Sequence, residues 1–483
     1  MIELLESRIA PAAILVFTDA AGDNITVKAS KGTSAQLDTA VVRSGGNITA
    51  INLSSAIYEG SDFSIVGKRG PGSHGSGAIA VPAINASGTD LGVVSIDGDV
   101  GGGMIGSNTA GTPAVKSFSA LSVGDSNTSL ATLAFNGVVP SFTTKADIGP
   151  LGAVQFNGAA LTGNLLGKAA IGGGLIGGST SGGGSLFVDG SAGSITVKGP
   201  VFGGSADGTG AISVEGSATA TKVAVGSLLG SAGTDTGSIR SLGPLGPITV
   251  AKFIAAGAGS LSGSIVSEGS IASVTVGQSI LGNSANLSEI AAGAAVAGGA
   301  LDATGDLGAV TIRGSAGAGG LYTIEADGNL TSVSISGDAN GLDIGSGGNL
   351  GPVRIGGDML ASQVSAHGTG SGLALGSVTI HGSAHGSSIL AGQVVVSTQS
   401  VDDNATMGKV AIGHIADTVV IQGGSASGVT SEVASVTIGG PAYGVTVNSN
   451  YIARLVVGGV SAPLAPGSNN DDGTFAGVAY DEV

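Results

Sequence analysis

One six-residue pattern recurs along the chain, and it recurs at uneven intervals. A large aliphatic residue is followed by a small one, often Gly, then any residue, Val or Ile, any residue, and Ile or Val. It reads Leu91-Gly92-Val93-Val94-Ser95-Ile96 and returns at 151–156, 245–250, 307–312, 350–355, 375–380 and 407–412. Looser copies centre on Leu121, Leu133, Val274, Val333, Val436 and Leu455. From Ile248 onward the central positions are 248, 274, 310, 333, 353, 378, 410, 436 and 455, separated by 26, 36, 23, 20, 25, 32, 26 and 19 residues. A helical repeat cannot absorb such scatter, because every inserted residue rotates the buried face. A stack of β-coils can, because insertions leave at corners while the stacked strands stay in register.

The local pattern agrees. In Val-x-Ile the first and third side chains share one face of a strand and the middle one points away. The middle residues are Thr249, Thr275, Thr311, Ser334, Arg354, Thr379, Ala411 and Thr437, which are mostly polar. The leading Leu, three residues before the Val, has the wrong parity for a straight strand. The small residue after it permits a corner or bulge, so both side chains can face inward. Gly98, Gly158, Gly314, Gly337, Gly357, Gly382 and Gly439 follow the copies and mark the next corner. Three short strands and three corners fill a turn of about 26 residues, and a two-sided coil with longer strands is the alternative. The expected fold is all-β: a right-handed parallel β-helix or β-solenoid of about 14 irregular turns, roughly 65–70 Å long, with an N-terminal β cap. Phe135-Asn136-Gly137 and Phe156-Asn157-Gly158 suggest a buried Phe stack with an Asn ladder, or two coincidental strand ends. In the less regular stretch 155–247, Leu186, Ile195, Ile212 and Val223 read as strands of different faces. The expected organisation is a β-rich cap over 1–85, a repeat domain over 86–460, and an acidic tail or capping segment over 461–483.

Composition narrows the function. Gly is 91 of 483 residues, Pro only 13, and no Gly-X-Y period is present, which excludes collagen. Charged residues are 10%, with 17 basic against 33 acidic and a net charge of −16, so basic surfaces for nucleic acid or anionic membranes are not expected. Acidic residues gather at Asp471, Asp472, Asp481 and Glu482. The absence of Cys excludes disulfides and thiolate chemistry. No apolar run reaches the ~18–20 residues of a membrane helix; the longest candidate, 291–300, is broken by Gly. A standard secretory signal is not evident near 12–17, where Glu3 and Glu6 oppose a basic flank.

Leu5-Glu6-Ser7-Arg8-Ile9-Ala10-Pro11 resembles the Leu-Glu-Pro-Arg signature of large Gly-rich β-strand-repeat proteins of the cell surface, of the Planctomycetes–Verrucomicrobia type, with Ser7 in place of Pro. Ile84-Asn85-Ala86-Ser87-Gly88-Thr89-Asp90-Leu91-Gly92, leading into 94–99, is similar to the first repeat of such proteins. The resemblance implies export and a structural surface role, and it supplies no catalytic residues.

Candidate chemistry is sparse, and the sequence assigns no catalytic or cofactor-binding residue. His367, His381, His385 and His414 cluster late and would form a metal or sugar site if neighbouring turns stacked them; exposed corners are the other reading. His385-Gly386-Ser387-Ser388-Ile389 is similar to the His-Gly motif of β-helix polygalacturonases. The only acidic pair near it is Asp402-Asp403, downstream, and the basic clamp is missing. Calcium is the one cofactor considered, through the oxygen-rich stretches 19–24 and 469–472; neither has EF-hand spacing, and solvated turns are the alternative. Gly163-Asn164-Leu165-Leu166-Gly167-Lys168-Ala169 lacks the spacing and hydroxyl of a phosphate loop. The expectation is an exported structural stalk or adhesive element whose partners are itself or surface glycans. A polysaccharide lyase or hydrolase and a glycan-binding adhesin are the alternatives.

Overall fold

The structure is a computed structural model. It describes residues 12–464 and 472–482, apart from 73, 76, 110–111, 126–127, 159–163, 217–220, 284–287, 294–304, 369–371, 393–404 and 424–430. The chain is a β-solenoid: nearly all β, with coils paired in parallel. It divides into two compact units, Met1–Thr221 and Lys222–Val483.

In the second unit each coil contributes three strands, as Leu307–Ile312, Ala316–Ala318 and Tyr322–Ala326 illustrate. We call these faces A, B and C. On face A the nine positions 248 to 455 are direct register partners in one unbroken ladder. Face B aligns Ile254, Ile280, Ala316, Ala339, Met359, Ala384, Ala416 and Ala442. Face C aligns Ile239, Ile265, Ile290, Ile324, Ile344, Val364, Ile389, Ile421 and Val447. All of these side chains are buried. The coil is therefore three-sided. The leading Leu is inside as well: Leu245, Ile248 and Val250 are all at or below 1% exposure. The longest intervals, 36 and 32 residues, are taken up in the connections from Ala292 to Leu307 and from Ala391 to Thr406. Both run from a face C strand to the next face A strand, so lengthening that corner leaves every ladder in register.

The glycines after the face A strands have a cause the pattern alone did not reveal. At the corner between faces A and B one polar side chain per coil accepts the backbone N–H of its counterpart on the next coil. Asp338 N–H donates to Ser315 Oγ at 3.1 Å, Asp358 N–H to Asp338 Oδ1 at 2.8 Å, and Ser383 N–H to Asp358 Oδ1 at 2.7 Å. A Cβ on Gly357 would overlap Asp338 Oδ1, and one on Gly382 would overlap Asp358 Oδ1. Neither glycine has positive φ. They are glycines because the acceptor from the preceding coil occupies the space of a side chain. A second ladder runs at the corner between faces C and A, where Asn329 N–H donates to Asp306 Oδ1 at 2.7 Å and Asn349 N–H to Asn329 Oδ1 at 2.9 Å. Part of the acidic excess is thus spent on backbone donors that would otherwise be unpaired at the corners.

The first unit has the same three faces. Face A aligns Phe63, Val94, Phe118, Phe142, Ala169 and Ile195. Face B aligns Val81, Val100, Val123, Ile148, Leu175 and Val201. Face C aligns Leu133, Val154, Leu186 and Ile212. The copies at Leu133 and 151–156 therefore lie on face C, apart from the Val94 ladder, and Phe118 rather than half-buried Leu121 is the anchor of its coil. Any strand buried on one side shows Val-x-Ile, so the motif cannot name its face. Leu186 and Ile195 do sit on different faces. Phe135 stacks on Phe156 with centroids 5.2 Å apart, and Asn157 Nδ2 donates to Asn136 Oδ1 at 3.0 Å. Phe118 stacks on Phe142 at 5.6 Å, and the two pairs meet edge to face.

The coils are preceded by an antiparallel meander of Ala13–Thr18, Asn24–Ala29 and Phe63–Lys68. The helix Ser34–Ala40, which the sequence reading did not anticipate, starts at a Thr33/Gln36 capping box. Parallel pairing with the coils already begins within this region, where Asn47–Asn52 pairs with Ile79–Ser87 and Phe63–Lys68 with Leu91–Gly106. At the other end, Val460–Ser461 turns back antiparallel on Leu455–Val457. Gly473–Phe475 pairs antiparallel with Val478–Glu482, which completes face C beside Val445–Ser449. Buried Glu482 accepts the Ile452 N–H at 2.9 Å, so this terminal carboxylate holds the hairpin in place.

Candidate functional site

The four histidines do not converge. His381 and His414 are exposed on the corner between faces A and B, and His381 Nδ1 lies 3.3 Å from the Ile355 carbonyl. His385 is on face B, 3.7 Å from Asp417 of the next coil, both near half exposure, where an ion pair adds little stability. His367 follows the face C strand Gln363–Ala366, on a different corner. Among the described residues no group of three or more His, Asp or Glu is placed to hold a metal ion. Asp402 and Asp403, and Asn469 to Asp471, lie outside the described residues, as does the 5–11 signature. In the 19–24 turn the carboxylates are engaged by backbone. Asp19 Oδ1 accepts from Ala21 and Asp23 N–H, and buried Asp23 accepts the Gly77 N–H at 2.7 Å.

The side of face C that points away from the coil interior in the second unit carries a different constellation, and much of it is buried, with Ala291 at 0% exposure. Register places Glu289, Thr323, Asp343 and Gln363 in one outward row, and Ala291, Glu325, Gly345 and Ser365 in the next. Glu325 is therefore diagonal to both Glu289 and Asp343, and Asp327 lies two residues beyond it. Coils stack at about 4.8 Å, so three successive coils bring Glu289, Glu325 and Asp343 within roughly 10 Å. The neighbours in these rows are small, which leaves the carboxylates together without long side chains between them.

None of the four forms an ion pair among the described residues, and Asp327 Oδ2 is buried without a hydrogen-bond partner there. Glu289 is only 7% exposed. Burial, and then the charges of Glu325 and Asp327, push its carboxyl up to about 7. Burial raises Asp327 to about 6, and it also raises Glu325 and Asp343. Beneath this surface Tyr322 is fully buried, and its hydroxyl donates to the Gly263 carbonyl at 3.2 Å. Chemically, the row offers a carboxylic acid, Glu289, that keeps its proton near neutrality, close to Asp327, which ionises at lower pH. Sequence reasoning missed these residues because they stand 36, 2 and 16 positions apart. Only the outward parity of the positions flanking Ile290, Ile324 and Ile344 signals them.

In comparison with known proteins, no family model matches the chain, and neither a curated protein nor a solved structure matches it.

Proposed function

We propose that the chain is an exported structural β-solenoid, a cell-surface or extracellular stalk or adhesive element without catalytic activity. The observation that supports this most is where the polar side chains go. Corner Asp, Asn and Ser residues accept the N–H of the next coil, and the outward strand positions are mostly Thr and Ser. The polar chemistry serves stacking. The signature at 5–11 adds the surface assignment by resemblance, and no helix among the described residues is long and apolar enough to cross a membrane. Its partners on this reading are further copies of itself or surface glycans. Labelling intact cells with a membrane-impermeant reagent should tag the protein; recovery only from the cytoplasmic fraction overturns the proposal.

The carboxylate row favours a second reading, a β-helix enzyme acting on polysaccharide, because glycoside chemistry needs two carboxylates ~5–10 Å apart with one held protonated. Release of reducing ends from a polysaccharide panel, lost in Glu289→Gln and Glu325→Gln, would establish it. No release by the native chain removes it.

A further inference from the structure

The N-terminal region contains a cleft of about 350 Å³ between the helix Ser34–Ala40 and the turn that follows Asn47–Asn52. Every described residue lining it is uncharged. Gln36, Asn52, Ser54 and Ser55 line it together with Ile57 and Tyr58.

The hydrogen bonds already made in the wall determine what is left for a ligand. Gln36 Oε1 accepts the Thr33 N–H at 2.9 Å, and Asn52 Oδ1 accepts the Ser54 hydroxyl at 2.7 Å. Both amide oxygens are therefore engaged, while Gln36 Nε2, Asn52 Nδ2 and the Ser55 hydroxyl donate to no described residue. Two amide N–H₂ groups and a hydroxyl thus line one uncharged cleft beside an aliphatic side chain. Tyr58 is 2% exposed, and its hydroxyl has no hydrogen-bond partner among the described residues.

We propose that this cleft binds a neutral sugar unit. A pyranose carries several hydroxyls that accept from amide N–H₂ groups and donate to serine oxygens, and its C–H face suits Ile57. The absence of charge among the described lining residues disfavours uronic acids, phosphates and amines, which would lose hydration without gaining a counter-charge. The cleft volume lies within the ~300–1,000 Å³ of small-ligand sites. This inference does not depend on the structural reading above, since a cytoplasmic location would leave it untouched.

The test is saturation-transfer NMR and calorimetry on the full chain with the methyl glycosides of glucose, galactose, mannose and N-acetylglucosamine, with glucuronic acid as the charged comparison. A neutral-glycan array run in parallel distinguishes a free sugar from a unit within a glycan. At least one neutral probe should bind. Gln36→Glu and Asn52→Asp keep the engaged oxygen acceptors and remove the donors; each should weaken binding about five- to tenfold. Ser55→Trp, at an exposed position without a side-chain hydrogen bond, should abolish binding while leaving the circular-dichroism spectrum unchanged. The proposal fails if no neutral glycoside or glycan binds, if glucuronic acid binds better, or if binding survives Ser55→Trp.

Discussion

The two units build the same three-sided coil from different interiors. Around coils 118–156 the first unit fills its core with Phe118, Phe135, Phe142 and Phe156, whose rings stack between coils and interlock between faces. The second unit has Val, Ile or Leu at the equivalent face A positions and mostly Ala along the later part of face B. Parity and corner clearance are common to both; the identity of the filling residue is not. A coil of this kind demands that certain positions face inward and that certain corners lack a side chain. It accepts any apolar set whose volume fits.

The largest contrast should come from the interiors. Phe142→Ala removes the ring that touches Phe118, Phe135 and Phe156, and it should cost about 3–5 kcal/mol in urea unfolding. Ile380→Val, deep in the second unit, should cost about 0.5–1.5 kcal/mol. Similar costs at the two sites would mean that the Phe cluster adds nothing beyond ordinary aliphatic packing.

Next in size is a pH effect from the buried carboxylates of face C in the second unit. Glu289 titrates near 7 in the folded chain against 4.5 when unperturbed. The folded state therefore holds its proton more tightly than the unfolded state. Below about pH 4.5 both states are protonated and no charge is buried. As pH rises from there to about 7 the unfolded chain ionises first, so stability falls, and above 7 the loss is complete. The loss from Glu289 is on the order of 3 kcal/mol. Unfolding at pH 5 and pH 8 should show the native chain weaker at pH 8 and the Glu289→Gln variant much less so. A pH-independent native chain would show that these carboxylates are not buried together.

Smaller still is the contrast between two kinds of glycine. Gly357→Ala drives a methyl group into the Asp338 carboxylate and should cost about 1–3 kcal/mol, partly relieved when Asp338→Ala is combined with it. Gly386 has φ +55° and open space around its missing side chain, so Gly386→Ala should cost only about 1 kcal/mol through backbone strain. A thermal-melt series on the three variants separates the two causes. No relief in the double variant would mean that the corner acceptor is not what excludes the methyl group.

These contrasts also explain which parts of the molecule the sequence disclosed. The face A ladder of the second unit was legible because Val, Ile and Leu recur at every one of its nine anchors. In the first unit Phe118, Phe142 and Ala169 occupy the same slots, so the Val-x-Ile pattern is missing there, and the copy at 151–156 belongs to face C. The helix 34–40 was announced by Thr33 and Gln36 at capping-box spacing, but it was hidden within a β-rich segment. The carboxylate row was illegible for a different reason. Its members become neighbours only after the 36-residue turn between Val274 and Val310 has closed, and nothing in the linear order of Glu289, Glu325, Asp327 and Asp343 records that closure. The glycines were visible, but their cause was not, because the side chain that excludes a Cβ comes from the coil before.

That 36-residue turn is also where the proposed register is most exposed to test. The chain contains no Cys, so an introduced pair reports without background. Thr275 and Thr311 are outward register partners on adjacent coils, while Ala309 pairs two positions earlier with Ser273. Thr275→Cys combined with Thr311→Cys places two thiols on Cα atoms about 4.8 Å apart, within disulfide range. Under mild oxidation this pair should close quantitatively, and Thr275→Cys with Ala309→Cys should close poorly. Equal closure of both pairs, or preference for the second, would contradict the stacked-coil register.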